Sequence, residues 1–364
     1  MPALALSTRP RKKLALVIPG RNEELAIGMT IRLAIRSGQP KADIYVVSDA
    51  STDKTYDIAV SMLGKSNVLQ VKPSGKSGAV NKAIKKFDIV KKYQWMHISD
   101  ADGVFGPDYF RIFRSSLSER NVAATGYVMS LQGALIPKYR VYEYVFGLSL
   151  IRRVQSWLGV ITVIPGPTSC LRTDIIKQLD FETGSMTEDF DITLQIHRKK
   201  LGRIQFIPKA KTYTQDPATV REYVKQITRW YRGFFQGVVT HKLGRRAQKI
   251  DVFLGALMLQ TIVYGVELVL LPLYVLFVTH DPTPLAAFFL AEVGLYAIVF
   301  IGCALVAKRI DIMVIFPLFY VVRLINMWVF FKTGFEVLVL KKYRGKTVGW
   351  VSPKRYALAT SGIK

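Results

Sequence analysis

Residues 14–130 alternate between two kinds of segment, and that alternation constrains the fold more than any other feature of the chain. Leu14–Ile18, Ile44–Val47, Val68–Val71, Trp95–Ile98 and Val122–Val128 are short apolar runs with the length and composition of buried strands. Between them, Glu23–Arg36, Asp53–Leu63, Gly78–Val90 and Pro107–Ser118 carry apolar residues at helical spacing. Such an order predicts an α/β domain whose mostly parallel sheet is covered by helices. Ligands of open sheets bind beyond the carboxyl ends of the strands. The tails at those ends are Pro19-Gly20-Arg21-Asn22-Glu23, Ser48-Asp49-Ala50-Ser51-Thr52 and Ser99-Asp100-Ala101-Asp102. A nucleotide site is expected there.

The last third has a different character. Val252–Val278, Leu285–Ala307 and Ile310–Phe331 are apolar stretches, and the first two are long enough to cross a bilayer. The connection between those two has no Lys or Arg, which suits the outside, whereas Lys308-Arg309 suits the inside. The third stretch contains Pro317, Arg323 and Asn326, and a single crossing would put the basic run after Lys341 outside. A broken or interfacial third segment with a cytosolic C-terminus is expected instead. Glu267 and Glu292 at membrane depth predict a polar lumen or partners on neighbouring helices.

Two segments ahead of these stretches are amphipathic. In 137–158, Val141, Tyr144, Val145, Leu148, Ile151, Val154 and Leu158 share one face, with Arg140, Glu143, Arg152, Arg153 and Gln155 largely off it. That pattern suits a helix lying on the bilayer, or one packed on the sheet. Residues 218–241 look similar. The expected organisation is a basic tail (1–13), a cytosolic domain (14–217), an amphipathic region (218–250), transmembrane or interfacial helices (251–340) and a basic cytosolic tail (341–364).

Charge narrows the partners. Lys and Arg number 51 against 26 Asp and Glu, a net charge of +25. Nucleic acid, anionic lipid or a phosphorylated substrate would each explain that excess. No helix-turn-helix, zinc-finger or RNA-binding signature accompanies it, so nucleic acid is not expected as a partner. Basic residues flanking membrane segments account for much of it. The two cysteines, Cys170 and Cys303, are not expected to pair, and the first thirteen residues are too short and too weakly apolar for a signal peptide. The expected location is a plasma (inner) membrane, multi-pass, with the N-terminal domain cytosolic.

The candidate chemistry lies in the carboxylates. Asp100-Ala101-Asp102 ends a strand; such a pair is either solvated turn chemistry or, with substrate phosphates, a site for Mg²⁺ or Mn²⁺. Lys76 follows Pro73-Ser74-Gly75 at a helix start, where it is an exposed lysine or a phosphate ligand. Glu188-Asp189 opens a helix, as acids that complement the macrodipole or as a general base. Gln226 and Arg229 share a face, and Trp230 is four residues from Gln226; Arg can meet diphosphate oxygens and Trp can stack on a sugar, though a plain amphipathic helix carries the same triplet. Several acids without a Cys/His cluster, ahead of a late Arg-Trp pair, suit metal-assisted transfer of a diphosphate-activated group at a membrane.

In this order the motifs resemble those of the family-2 glycosyltransferases, over roughly residues 14–240. The segments that carry the resemblance are Pro19-Gly20-Arg21-Asn22-Glu23-Glu24, Asp49-Ala50-Ser51-Thr52-Asp53, Lys76-Ser77-Gly78-Ala79-Val80-Asn81, Asp100-Ala101-Asp102, Thr187-Glu188-Asp189 and Gln226-x-x-Arg229-Trp230. Within the family the chain is most similar to the membrane-embedded synthases of cellulose, poly-N-acetylglucosamine, chitin and hyaluronan. The resemblance implies a nucleotide-sugar-binding, GT-A-like domain and an inverting transfer from a UDP-sugar to a growing β-linked polysaccharide that moves toward the membrane. It implies donor binding by Pro19, Glu23, Asp49, Lys76, Asp100, Gln226 and Arg229, metal binding by Asp102, and Asp189 as base beside Glu188. Gly166, Trp230 and Glu188 would face the acceptor. Gly349-Trp350-Val351-Ser352 is similar to a mobile loop that covers the donor, which would bring in Trp350.

The chain also departs from the family pattern. Ser48-Asp49-Ala50 replaces a double acid, and the N-terminal membrane helices of many synthases are not seen. Two or three helices make a poor polymer channel, so self-association or an export partner is expected. Two other readings remain. Transfer of a single sugar to a membrane lipid is one. A silent membrane scaffold is the other, and the intact Asp49, Asp102, Asp189 and Arg229 argue against it.

Overall fold

The computed structural model describes residues 13–131, 135–279 and 281–343. Strands β1 (Leu14–Gly20), β2 (Ile44–Asp49), β3 (Val68–Val71), β4 (Trp95–Ile98), β5 (Val104–Phe105), β6 (Asn121–Ser130), β7 (Ser169–Arg172) and β8 (Arg203–Thr214) form one sheet, ordered β3-β2-β1-β4-β7-β6-β8-β5. The first four are parallel neighbours, as expected. Beyond them the sheet is mixed, because β7 runs antiparallel to both β4 and β6, and β5 antiparallel to β8. The strands without an apolar run escaped the sequence reading: β5 has two residues, and β8 is interrupted by Pro208, Lys209 and Lys211.

Helices α1 (Ile27–Arg36), α2 (Thr55–Leu63), α3 (Gly75–Lys86), α4 (Ile89–Lys92) and α5 (Tyr109–Ser116) flank the sheet. All seven residues of β1 are buried, as a strand covered on both faces requires. Its side chains alternate: Ala15 and Val17 join Ala79, Val80 and Ala83 of α3, while Leu14, Leu16 and Ile18 join Ile27 and Ile31 of α1 and Phe110 and Phe113 of α5. Each fully buried Leu, Ile or Phe is worth roughly 1.5–3 kcal/mol, so these two layers hold the strand ends rigid beneath the site.

The second half is helical. Helix α6 (Leu135–Tyr144) continues through a π turn (Val145–Ile151) into α7 (Arg152–Leu158). Helix α8 (Glu188–Arg198) follows, then α9 (Val220–Thr240). The Thr219 hydroxyl accepts the Glu222 N–H of α9, and the Glu222 carboxylate accepts the Ala218 N–H, which satisfies orphan donors at the α9 start. A Cβ on Gly233 would lie 2.1 Å from Thr187 Oγ1, and one on Gly237 would lie 2.6 Å from the Phe190 ring. Two glycines one turn apart therefore let α9 seat directly on the turn that opens α8.

The helix 135–158 corrects the expected lipid-facing surface. Val141, Val145 and Leu148 are buried, and so are Arg140 and Arg152, which the pattern placed largely off the apolar face. Ile136, Tyr139, Val141, Tyr142 and Val145 pack in one cluster with Tyr223 and Ile227 of α9 and with residues of the C-terminal apolar helices such as Phe300 and Phe319. Apart from Leu135 at its start, the apolar side chains left exposed are Leu150, Val154, Trp157 and Leu158, with Trp157 79% exposed. Packing on helices explains the first half, and only the second half keeps an uncovered ridge.

Helices α10 (Lys249–Gly265) and α11 (Leu271–Tyr274) belong to one helical run, followed by α12 (Thr283–Ala307) and α13 (Phe316–Gly334). Lys249–Val278, Thr283–Ala307 and Ile310–Val339 are all long and apolar enough to cross a membrane. The third segment begins as a 3-10 helix (Ile310–Ile315) and continues as α13, with Pro317 in its first turn, where a missing N–H costs nothing. Glu292 of α12 is met by Arg323 of α13 at 2.5 Å. Both ends of the third segment touch the helices next to the sheet. Lys138 lies 3.6 Å from Asp311, Arg232 pairs with Glu336 at 2.9 Å, and Gln236 Nε2 donates to the Tyr343 carbonyl at 2.5 Å.

Gly233→Ala should destabilise the protein by about 1–3 kcal/mol, the usual cost of overpacking. Gly302→Ala, where a Cβ meets nothing within 4 Å, should not. Thermal unfolding in detergent compares the two, and equal midpoints would mean that α9 is not seated on the Thr187 turn.

Candidate active site

The site forms where the carboxyl ends of β1, β2 and β4 meet the starts of α3 and α8. Asp49, fully buried at the end of β2, accepts the Ser74 N–H at 2.8 Å, the Ser74 hydroxyl at 2.9 Å and the Gly75 N–H at 2.9 Å. Its carboxylate thus satisfies orphan donors at the α3 start and fixes the residue that follows, Lys76. Lys76 Nζ reaches Asp100 Oδ1 at 2.6 Å and Glu188 Oε1 at 2.8 Å. Burial pulls the pKa of Lys76 down, but Asp100, Glu188 and Asp189 outweigh it and hold the group above the usual lysine range.

Gly166 closes this cluster from the loop before β7. A Cβ there would lie 2.7 Å from Lys76 Nζ and 3.4 Å from each Asp100 oxygen, so a side chain would have to push the Lys76 tip out of the cluster. Its N–H donates to Asp189 Oδ2 at 3.1 Å, and Asp189 Oδ1 accepts the Phe190 N–H at 2.8 Å. Burial, then the adjacent Glu188, pushes the Asp189 carboxyl up to about 6, against the opposing pull of Lys76 and the two N–H groups. A carboxylate that titrates near neutrality is suited to general-base work.

Asp102 is buried at the end of β4, two residues past the Lys76 partner. Among the described residues no group of three or more His, Cys, Asp or Glu side chains is placed to hold a metal ion. Mg²⁺ or Mn²⁺ needs no such cage when a diphosphate supplies oxygens, so a single buried carboxylate such as Asp102 fits a substrate-completed ion. Glu23 is buried and Pro19 lies near the end of β1, both on the same rim.

On α9, Gln226 and Trp230 are half-buried and Arg229 is exposed. Arg229 Nη1 makes a long 3.4 Å contact with the Met186 carbonyl, in the turn that leads to Asp189. Trp350 lies outside the described residues. Two buried cations were not singled out by the sequence reading. The Arg140 guanidinium stands 4.5 Å from the Trp230 ring and donates to Gln226 Oε1. Arg152 has Nε and Nη1 without partners; burial lowers it to about 10, and Asp189 acts against that. No pattern in the chain marks either residue, because an arginine in an amphipathic segment reads as surface.

Comparison with known proteins follows the same lines. A family model described as "Glycosyltransferase like family 2" matches residues 10–233. The protein named "Probable glycosyltransferase YdaM" from Bacillus subtilis is 29% identical over 248 residues, covering 61% of this chain and 55% of that protein. Poly-beta-1,6-N-acetyl-D-glucosamine synthase from Staphylococcus epidermidis is 26% identical over 220 residues, covering 58% of this chain and 52% of that protein. The chain thus spans about half the length of the curated relatives it matches. Among solved structures, a Pyrobaculum calidifontis mannosyltransferase in complex with GDP-Man and Mn²⁺ superposes with a TM-score of 0.55 at 16% identity, covering 91% of this chain and 88% of that one. That likeness shows a shared GT-A-like fold. The sheet, the carboxylates at its strand ends and a family model that matches more than half of the residues together show that the chain belongs to glycosyltransferase family 2.

Proposed function

We propose that this protein is an inverting membrane glycosyltransferase that moves a sugar from a UDP-sugar to a growing β-linked polysaccharide and passes the product toward the membrane. The observation that carries this reading is the setting of Asp189: a half-buried carboxylate raised to about 6, aimed by the Gly166 N–H and set beside the Lys76–Asp100–Glu188 cluster. An acceptor hydroxyl attacks the anomeric carbon from the face opposite the diphosphate. The new O–C bond forms as the C–O bond to phosphate breaks, the proton passes to Asp189, and UDP leaves. Asp100 and Lys76 bind at the donor side, with Asp49 holding the Lys76 turn and Pro19 and Glu23 shaping the rim. Asp102 would hold Mg²⁺ or Mn²⁺, whose charge offsets that of the leaving diphosphate. Gln226, Arg229 and Trp230 form the floor where the acceptor meets the diphosphate, with Gly166 and Glu188 opposite.

The packing supports the membrane side of this reading. Leu150, Val154, Trp157 and Leu158 form the ridge that enters the headgroup layer, next to Ile250 and Leu254, where α10 begins: Val160, two residues past α7, packs in their cluster. Helices α10 and α12 cross the bilayer. The third segment stays against α6 and α9 at both of its ends, which leaves residues 341–343 on the cytosolic side with the catalytic domain. Transfer to a lipid would give one discrete glycolipid and polymerisation a ladder, so incubating membranes with labelled UDP-sugars separates the two readings by product size.

As a base, Asp189 works only when ionised, so kcat/KM should rise with pH through about 6 and level off above it. Asp189→Asn should lower transfer by about 10²-fold or more with UDP binding retained. Near-normal turnover in that variant would remove Asp189 from the role.

Chelation should abolish transfer and added Mn²⁺ or Mg²⁺ restore it, with Asp102→Asn insensitive to the added metal. Full activity in excess chelator would contradict a metal at Asp102.

A single cysteine at Lys341, in a background lacking Cys170 and Cys303, should be labelled only from the cytosolic face of sealed, oriented vesicles. Labelling from the other face alone would mean that Ile310–Val339 crosses the bilayer.

A further inference from the structure

Arg140 of α6 is 3% exposed, and every polar contact it makes is specific. One Nη donates to Glu143 Oε2 at 2.5 Å, and the other donates to Gln226 Oε1. Nε lies 3.7 Å from Asp216, whose carboxylate also accepts the Tyr144 hydroxyl at 2.9 Å. The guanidinium carbon stands 4.5 Å from the Trp230 ring and 5.1 Å from the Tyr223 ring. A single cation thus ties α6 and the segment after β8 to two residues of the α9 triplet, Gln226 and Trp230.

Two consequences follow from the chemistry of the group. Guanidinium has donors only, so the side-chain atom of Gln226 that faces it must be the carbonyl oxygen. The Gln226 NH₂ is thereby turned away from Arg140 and left to donate elsewhere. A cation held over an indole face also resists tilting of the ring. Glu143 pairs with the guanidinium in turn and Asp216 lies 3.7 Å from its Nε, so neither Gln226 nor Trp230 can reorient without losing its contact to a buried cation.

We infer that Arg140 is a positioning residue: it sets the amide of Gln226 and the plane of Trp230 so that both meet the acceptor. This rests on the role proposed above for Gln226 and Trp230. It predicts that Arg140 acts on acceptor use through Gln226 and Trp230 and leaves the donor contacts at Lys76 and Asp100 unchanged.

The test is a mutant cycle in membranes, read as kcat and KM for transfer and as UDP binding in the presence of Mn²⁺. Arg140→Met should lower kcat for transfer on the order of tenfold while UDP affinity is unchanged. In a Gln226→Ala, Trp230→Phe background the same substitution should add less than about twofold, because its targets are gone. Arg140→Lys keeps the charge without the planar fork, so it should fold, bind UDP normally and still show the transfer defect. Restored transfer in Arg140→Lys would overturn the orienting role, as would effects that multiply in the cycle, or a loss of UDP affinity equal to the loss of transfer in both Arg140 variants. Full transfer in the Gln226→Ala, Trp230→Phe variant would instead fail the proposed acceptor floor itself, and this inference with it.

Discussion

One ammonium group, Lys76 Nζ, lies 2.6 Å from Asp100 and 2.8 Å from Glu188, and joins the start of α3, the end of β4 and the start of α8. Asp100, Glu188 and Asp189 gather around this ammonium group, and the adjacent Glu188 opposes the ionisation of Asp189. The cation lets the acids come together with Asp189 raised only to about 6. Its position is itself imposed, since Asp49 satisfies the amides at the turn before it and Gly166 leaves room for its tip. A charged cluster of this kind holds its geometry only when every partner is in place.

The second constraint is close approach. Gly233 and Gly237 allow α9 to lie against the Thr187–Phe190 turn, where any side chain would collide with Thr187 or Phe190. The helix that carries Gln226, Arg229 and Trp230 is therefore set by the same turn that carries Asp189. On its other flank α9 is held by Arg140 and by Tyr223, whose hydroxyl donates to Asn326 of α13 at 2.8 Å. The turn that carries Asp189, helix α9 and the apolar C-terminal helices form one packed series, so a shift in α13 has a direct mechanical route to Gln226 and Trp230.

Much of this was legible in the chain. Apolar runs broken by helical spacing mark the first four parallel strands, because a strand buried on both faces has to be continuously apolar. The polar strand tails mark the site, since an open sheet offers its ligand site at the carboxyl ends. Strands β7 and β8 were not legible: their pairing draws on partners 40 or more residues away, as in Ala124 with Cys170, and their own residues carry no continuous apolar run. The Gly233 and Gly237 contacts were also silent, because a glycine in a helix pattern reads as a weak spot until its neighbour is known.

Local order and chemistry set what the sequence alone determined: the α/β core, the acids at its strand ends, the membrane-directed last third and the family itself. Tertiary structure decided which charges are buried. Arg140 and Arg152 sit in an amphipathic pattern that places them at a surface, yet both are buried, because α6 and α7 pack against elements distant in sequence. It also decided which apolar side chains remain exposed, Trp157 among them, and kept both ends of the third apolar helix against the catalytic domain. Periodicity records which residues share a face of a helix. What that face meets depends on contacts between elements far apart in the chain, and those exist only in the folded molecule.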